Sequence, residues 1–331
     1  MGDRIGLGSI GLGFWGGILA EAVAASGRGA IVSCFARSKE QRGAFSSRFG
    51  CKAVSSLDEL LADPAVDGVL IATPHSSHRS LIESAAAVGK HVFVEKPLTL
   101  TVEDGQAAID ACEAAGVVLQ VGHQRRRSPA NRRIKLMLEE GQLGDLQLIE
   151  SHHSWPGGLL MPAEAWRQQP EESPLGSMTS LAVHSLDTFM YFAGPIRQIF
   201  AVTRASHGSR TVDQSTVLSV EFESGALGCI LTSFFVPDLV RLSVHGEKAA
   251  ATSEQDGQAI SVVRIDQSST GLEFLPAFDP VEDELTEFVN SVAGETTPET
   301  GGREGIAVVA ALEAALKSSQ TGSAVEISIG G

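Results

Sequence analysis

Up to Gly122, short apolar runs alternate with stretches whose apolar positions recur at helical spacing. The runs Arg4–Ile10, Ala30–Ala36, Asp67–Ala72, His91–Glu95 and Val117–Val121 predict strands, with a shorter one near Lys52–Val54. The helices between them carry their own punctuation. Ser56-Leu57-Asp58-Glu59 is a capping box ahead of Leu60 and Leu61. Leu81, Ile82, Ala85 and Ala86 form a stripe that Gly89 closes. Thr101, with Glu103 and Asp104 behind it, opens a helix running to Ala115 before Gly116. Strands alternating with helices of this length predict an α/β domain over residues 1–122, a doubly wound parallel sheet covered on both faces.

Beyond Gly122 the pattern changes. Ser128-Pro129 starts a helix that Gly141 stops, and a strand follows at Leu146–His153. A loop rich in Pro, Gly and Trp spans 155–175, and Ser177–Phe192 reads as one helix ended by Gly194-Pro195. The chain is then β-rich from Ile196 to about Ile265, with a hairpin signal at Phe222-Glu223-Ser224-Gly225-Ala226. Helical patterns return at Pro280–Val292 and Gly305–Ser318. Residues 123–331 are therefore expected to form a second, α+β domain.

Composition narrows the function. A length of 331 residues with 43% hydrophobic and 20% charged residues fits two globular domains. The formal charge of −15 opposes binding to nucleic acid or an anionic membrane surface. Cys34, Cys51, Cys112 and Cys229 are scattered, which suits a reducing compartment and argues against a disulfide scaffold or a thiolate metal site. The glycine-dotted stretch Ile5–Ala20 is too short to span a bilayer and lacks a basic leader, so a soluble, cytoplasmic protein is expected. His152 and His153 are adjacent on a strand and point to opposite faces, so no metal site is expected from them.

Gly11-Leu12-Gly13-Phe14-Trp15-Gly16 is a G-x-G-x-x-G run that follows a strand and opens an amphipathic helix, the context a dinucleotide fingerprint requires. Gly11 permits the tight turn, Gly13 the approach of a pyrophosphate, and Gly16 close packing of helix on strand. Phosphates then meet the helix N-terminus. At the end of the second strand an acidic residue selects NAD(H) through the ribose 2′-hydroxyl. This chain has Arg37-Ser38-Lys39 there, two cations and a hydroxyl suited to a 2′-phosphate, so NADP(H) is expected in preference to NAD(H).

The fingerprint, Ala72-Thr73-Pro74-His75-Ser76-Ser77-His78 and Glu95-Lys96-Pro97 together resemble the Gfo/Idh/MocA oxidoreductases. The similarity continues through Val121-Gly122 with Arg126 and Pro129, Gly141-x-Leu143-Gly144, Trp166-Arg167 and the closing helix. The resemblance implies a Rossmann domain joined to a domain with a large open, mostly antiparallel sheet, through which copies assemble as a homodimer or homotetramer. It implies cofactor contacts from Gly11, Gly13, Phe14, Trp15, Gly16, Arg37, Ser38, Thr73, Pro74, His78, Glu95 and Lys96, with Lys96 as acid/base and a cis bond before Pro97.

Lys96 also stands on its own argument. Ligands of open α/β sheets bind beyond the carboxyl ends of the strands, where Lys96 falls, and a lysine desolvated beside a cationic ring is a usable acid/base. The second catalytic segment departs from the family. His184 and Asp187 match its pattern, but Ser180 stands four residues before His184, where members usually carry Asp. Ser180 and His184 are expected to share a helix face and point at the substrate, Ser180 only as a hydrogen-bonding group. Proton duty then falls on Lys96 and His184, with Asp187 orienting its neighbour. Arg126, His153, Trp166 and Arg167 complete the expected substrate contacts, Trp166 as a stacking face and Arg167 as a bidentate donor. The expected activity moves a hydride between a nicotinamide and a hydroxyl or keto carbon of a sugar, polyol or cyclic alcohol. The alternatives are a glycoside hydrolase that oxidises its substrate transiently and a dinucleotide-sensing protein without catalysis.

Overall fold

The computed structural model of the chain describes residues 4–204 and 212–327. They form two compact units: one runs to Gln124 and takes in Asp279–Ile306, and the other comprises Arg125–Phe278 with the residues from Ala307 onward.

In the first unit the elements are β1 (Ile5–Ile10), α1 (Phe14–Ala25), β2 (Gly29–Phe35), α2 (Lys39–Phe49), β3 (Lys52–Ala53), α3 (Leu57–Leu61), β4 (Gly68–Ile71), α4 (His78–Ala86), β5 (His91–Glu95), α5 (Val102–Ala115) and β6 (Leu119–Gly122). The sheet order is β3-β2-β1-β4-β5-β6, and every pairing in it is parallel. The order reverses beside β1, which makes the carboxyl end of β1 a switch point where ligands bind in such sheets. Helices cover both faces, so the central strands are apolar on each side: Val69, Leu70, Ile71, Val92, Phe93 and Val94 are all buried. The Ser56 hydroxyl accepts from the Glu59 N–H, and the Thr101 hydroxyl accepts from the Asp104 N–H, so both caps form where the sequence signals them.

A division at Gly122 leaves Asp279–Ile306 in the second domain, but the fold returns this segment to the first unit. Helix Pro280–Val292 contributes Leu285, Phe288 and Val289 to the core cluster that holds Leu19, Ala22 and Val23 of α1. Its Phe288 ring lies edge-on to Phe93 of β5, centroids 5.7 Å apart. Apolar burial decides which unit owns a segment, and chain position does not.

The second unit holds α6 (Pro129–Glu139), β7 (Leu146–Ser154), α7 (Gly157–Leu160), α8 (Val183–Ala193), β8 (Ile196–Arg204), β9 (Ser215–Phe222), β10 (Leu227–Ser233), β11 (Leu239–Gly246), β12 (Ala249–Glu254), β13 (Ala259–Arg264), β14 (Ser269–Phe274) and β15 (Val325–Glu326). They build a sheet in the order β14-β13-β12-β11-β7-β10-β9-β8-β15. Only β10 and β7 pair in parallel. One face packs Ile149, Leu218, Val220, Ile230 and Val244 with Leu186 and Phe189 of α8 and with Val308 and Ala311 of helix Gly302–Thr321. The alternate positions Leu148, Val202, Val217, Leu227 and Leu231 remain exposed. The hairpin forms as its sequence signals, with Gly225 at φ +87° between β9 and β10.

Ser177–Phe192 is not one regular helix. A single wide π turn, Met178–Ala182, precedes α8. The Thr179 hydroxyl donates to the Pro174 carbonyl, drawing the chain toward the preceding loop and away from regular helical pitch.

Candidate active site

Each unit carries its own cluster of functional groups. In the first, Gly11 has φ +89°, and a Cβ there would stand 2.4 Å from the Ala72 carbonyl oxygen, so only glycine fits. A Cβ on Gly16 would lie 2.2 Å from the Gly11 oxygen. Gly13 is different. Its backbone is extended, and a Cβ built on it meets nothing within 4 Å. The space before Gly13 is open, and it faces the N-terminus of α1, whose first turn has neither an acidic residue nor a side-chain cap. Helix geometry leaves the first N–H groups for an external acceptor, so these residues fit a dinucleotide pyrophosphate. Phe14, the first residue of α1, is 80% exposed.

At the end of β2, Ser38 is the N-cap of α2. Its hydroxyl accepts from the Gln41 N–H and donates to the Glu40 carboxylate at 2.8 Å, which holds Glu40 below the usual carboxylate range. Ser38 therefore organises the loop, and a carboxylate stands beside it that the motif count passed over. Arg42 donates to the Ala36 carbonyl at 2.6 Å and the Arg37 carbonyl at 3.1 Å, a third cation at this loop. The Arg37 and Lys39 side chains are exposed.

After β4, the Thr73 and Ser77 hydroxyls lie 2.7 Å apart. His78 is fully buried, with ring nitrogens at 3.0 Å from the Pro97 carbonyl and 3.2 Å from the Thr73 carbonyl. Its place between the two loops gives it a positioning role there. Glu95 closes β5, Lys96 follows at 8% exposure, and the Lys96-Pro97 bond is cis.

The second unit carries an open cavity of about 640 Å³ lined by Arg125, His153, Trp155, Leu181, Asp238 and Asp256, among others. It shares Arg125, His153, Val240 and Asp256 with a smaller polar recess of about 30 Å³, which His184, Ser185, Thr188 and Arg241 also line. His153 is the last residue but one of β7, and His184 lies on α8. Their rings stack with centroids 5.9 Å apart, and both are buried. Behind them the Ser151 and Ser185 hydroxyls lie 2.8 Å apart.

Several expected substrate contacts have other partners. Arg126 and Asp187 form a buried two-pronged ion pair, at 3.0 and 2.5 Å, with Arg126 also over the Tyr191 ring. Two buried opposite charges satisfy each other before either meets a substrate. Ser180 does not line either cavity. Leu181 stands at the wall instead, and the Ser180 hydroxyl lies 3.4 Å from that of Ser173. Arg167 stacks on Trp166 at 4.0 Å, and neither lines these cavities.

Arg125, Trp155, Asp238 and Asp256 went unread in the sequence. The run Arg125-Arg126-Arg127 in an acidic chain was the available signal, and Asp256-Gly257 was a turn signal at the same wall. Burial holds the Arg125 guanidinium down to about 10, against the opposing pull of Asp238.

A strand order of this kind with an open glycine before a helix N-terminus defines a dinucleotide-binding architecture, and comparison with known proteins agrees and adds the class of chemistry. Residues 5–123 match the oxidoreductase family with an NAD-binding Rossmann fold, and residues 131–252 match the Gfo/Idh/MocA C-terminal domain. The chain belongs to the Gfo/Idh/MocA oxidoreductase family. It is 29% identical to 1,5-anhydro-D-fructose reductase of Ensifer adhaerens over 320 residues, 93% of this chain and 94% of that one. It is 27% identical to an NADP(+)-dependent D-xylose 1-dehydrogenase of Haloferax volcanii, covering 83% of this chain and 85% of that one. The solved structure of levoglucosan dehydrogenase in complex with NADH and levoglucosan superposes with a TM-score of 0.90 at 22% identity, over 98% of this chain and 100% of that one. These relatives are sugar dehydrogenases and reductases, and both nicotinamide cofactors occur among them. No helix among the described residues is long and apolar enough to cross a membrane.

Proposed function

We propose that the protein is an NADP(H)-dependent oxidoreductase that interconverts a hydroxyl and a keto carbon of a sugar, polyol or cyclic alcohol. A nicotinamide dinucleotide bound before Gly13 supplies the hydride acceptor or donor. Lys96 is the principal acid/base: in the oxidative direction its neutral amine takes the hydroxyl proton as the carbon gives up its hydride, and in reduction it returns that proton to the new oxygen. In the second unit His184, with His153 stacked on its ring, is a further hydrogen-bonding group toward the substrate. The observation that carries this reading is the buried Lys96 at the carboxyl end of β5, in a sheet whose switch point lies beside an open glycine turn.

Arg37 and Lys39, with Arg42 anchored beside them, support the choice of NADP(H). The exposed apolar positions Val202, Val217, Leu227 and Leu231 support assembly of two or four copies through this sheet face. Lys96→Ala tests the chemistry. It is expected to lower kcat with NADPH and a sugar ketone by at least about a hundredfold while leaving the cofactor's thermal stabilisation intact. Unchanged turnover, or a larger thermal shift with NAD+ than with NADP+, would overturn the corresponding part of the proposal.

A further inference from the structure

The turn between β12 and β13 holds three successive residues in the left-handed region: Gln255 at φ +51°, Asp256 at +57° and Gly257 at +84°. Left-handed backbone at two adjacent non-glycine residues is strained and persists only where the surroundings enforce it. Here they do. A Cβ on Gly257 would come within 2.5 Å of Ser128, so the turn is pressed against the start of α6, and the Asp256 carboxylate pairs with Arg125. Gln255, Asp256 and Arg125 all line the cavity of about 640 Å³, together with Asp238.

The charges on that wall do not cancel. Among the described lining residues Arg125 is the one guanidinium; Asp256 pairs with it, and Asp238, which acts on it from a distance, brings the carboxylates to two. Arg241 lines the smaller recess and not this cavity. A ring carrying only hydroxyls finds paired acceptors and a guanidinium donor here, with Trp155 as an apolar surface. A ring carrying a carboxylate meets Asp238 and Asp256, and among the described lining residues the one guanidinium is already paired with Asp256.

We propose that the Arg125–Asp256 clasp and Asp238 set substrate charge, selecting neutral polyhydroxylated rings and rejecting their carboxylated counterparts. The inference rests on the proposed sugar or polyol chemistry and narrows it. The test compares matched probes, D-glucose with D-glucuronate and D-galactose with D-galacturonate, using the full-length protein with NADP+. Each neutral sugar is expected to exceed its uronate in kcat/KM by at least about tenfold. Asp238→Asn and Asp256→Asn are each expected to narrow that ratio several-fold, chiefly through KM for the uronate. Asp238 lies outside the strained turn, so its variant keeps the test available if Asp256→Asn fails to fold.

A preference for uronates, or ratios unchanged in the variants, overturns the inference while leaving the redox reading in place. If no probe is turned over, the redox reading fails for these sugars, and saturation-transfer NMR with the same four decides the clasp. Signals from neutral sugars alone then support it, and equal signals or silence from all four overturn it.

Discussion

The imidazole of His78 lies 3.0 Å from the carbonyl of Pro97 and 3.2 Å from the carbonyl of Thr73, joining the turn that carries Lys96 to the loop after β4. The ring is completely buried. His78→Ala removes the bridge, takes the imidazole donor from a buried carbonyl and opens a cavity. A loss of about 2–4 kcal/mol in urea denaturation is expected, with kcat falling more than KM rises because Lys96 loses its support. A variant as stable as the parent would show that the bridge is dispensable.

The fingerprint glycines are expected to separate into two classes. At Gly13 the backbone is extended and the space open, so Gly13→Ala should fold with a Tm close to the parent's. The new methyl group then stands where a pyrophosphate approaches, and the Kd for NADP(H) should rise by at least about tenfold. Gly11→Ala combines a positive φ with a contact of 2.4 Å to Ala72 and should lose stability outright, by more than about 1 kcal/mol. Thermal denaturation with and without cofactor tells the two apart.

Arg126 and Asp187 are buried together. Removing one partner leaves the other charged in the core, so Asp187→Asn and Arg126→Met should each cost about 3–5 kcal/mol. The pair Arg126→Met with Asp187→Asn should cost less than the two single changes added together. Additivity in this double-mutant cycle would mean that the two residues act independently.

His91 sets a pH dependence. Its Nδ1 accepts from the Val118 N–H at 3.0 Å, and burial pushes its pKa down despite the opposing pull of Asp67. The folded state therefore binds a proton less readily than the unfolded chain. The resulting stability is complete above the ordinary histidine value of about 6.5 and is lost as pH falls through the lower folded value. Denaturation midpoints should decline from pH 7 to pH 5, and His91→Gln should flatten that slope.

Much of the first unit was legible because its signals are local. Alternating apolar runs, the caps at Ser56 and Thr101, and the glycines of the first turn each act within a few residues. The strands Ile5–Ile10 and His91–Glu95 fall within or on the predicted spans. What escaped depends on partners far away in the chain. Arg126 and Asp187 are separated by 61 positions, and nothing near either one announces the other. The π turn at Met178–Ala182 is set by the loop before it, so helical spacing misplaced Ser180. The cavity wall draws on Arg125, Trp155, Asp238 and Asp256 from four separate segments, which no motif joins.

The return of Asp279–Ile306 to the first unit bears on how this chain matures. Leu19, Val23 and Phe93 emerge from the ribosome long before Leu285, Phe288 and Val289, the side chains that complete their core. The nascent dinucleotide-binding half must wait with an apolar flank uncovered until synthesis has passed Val289, almost two hundred residues beyond Phe93. A fragment ending at Gln124 should accordingly aggregate when expressed alone, and supplying a peptide spanning 279–306 should restore its solubility.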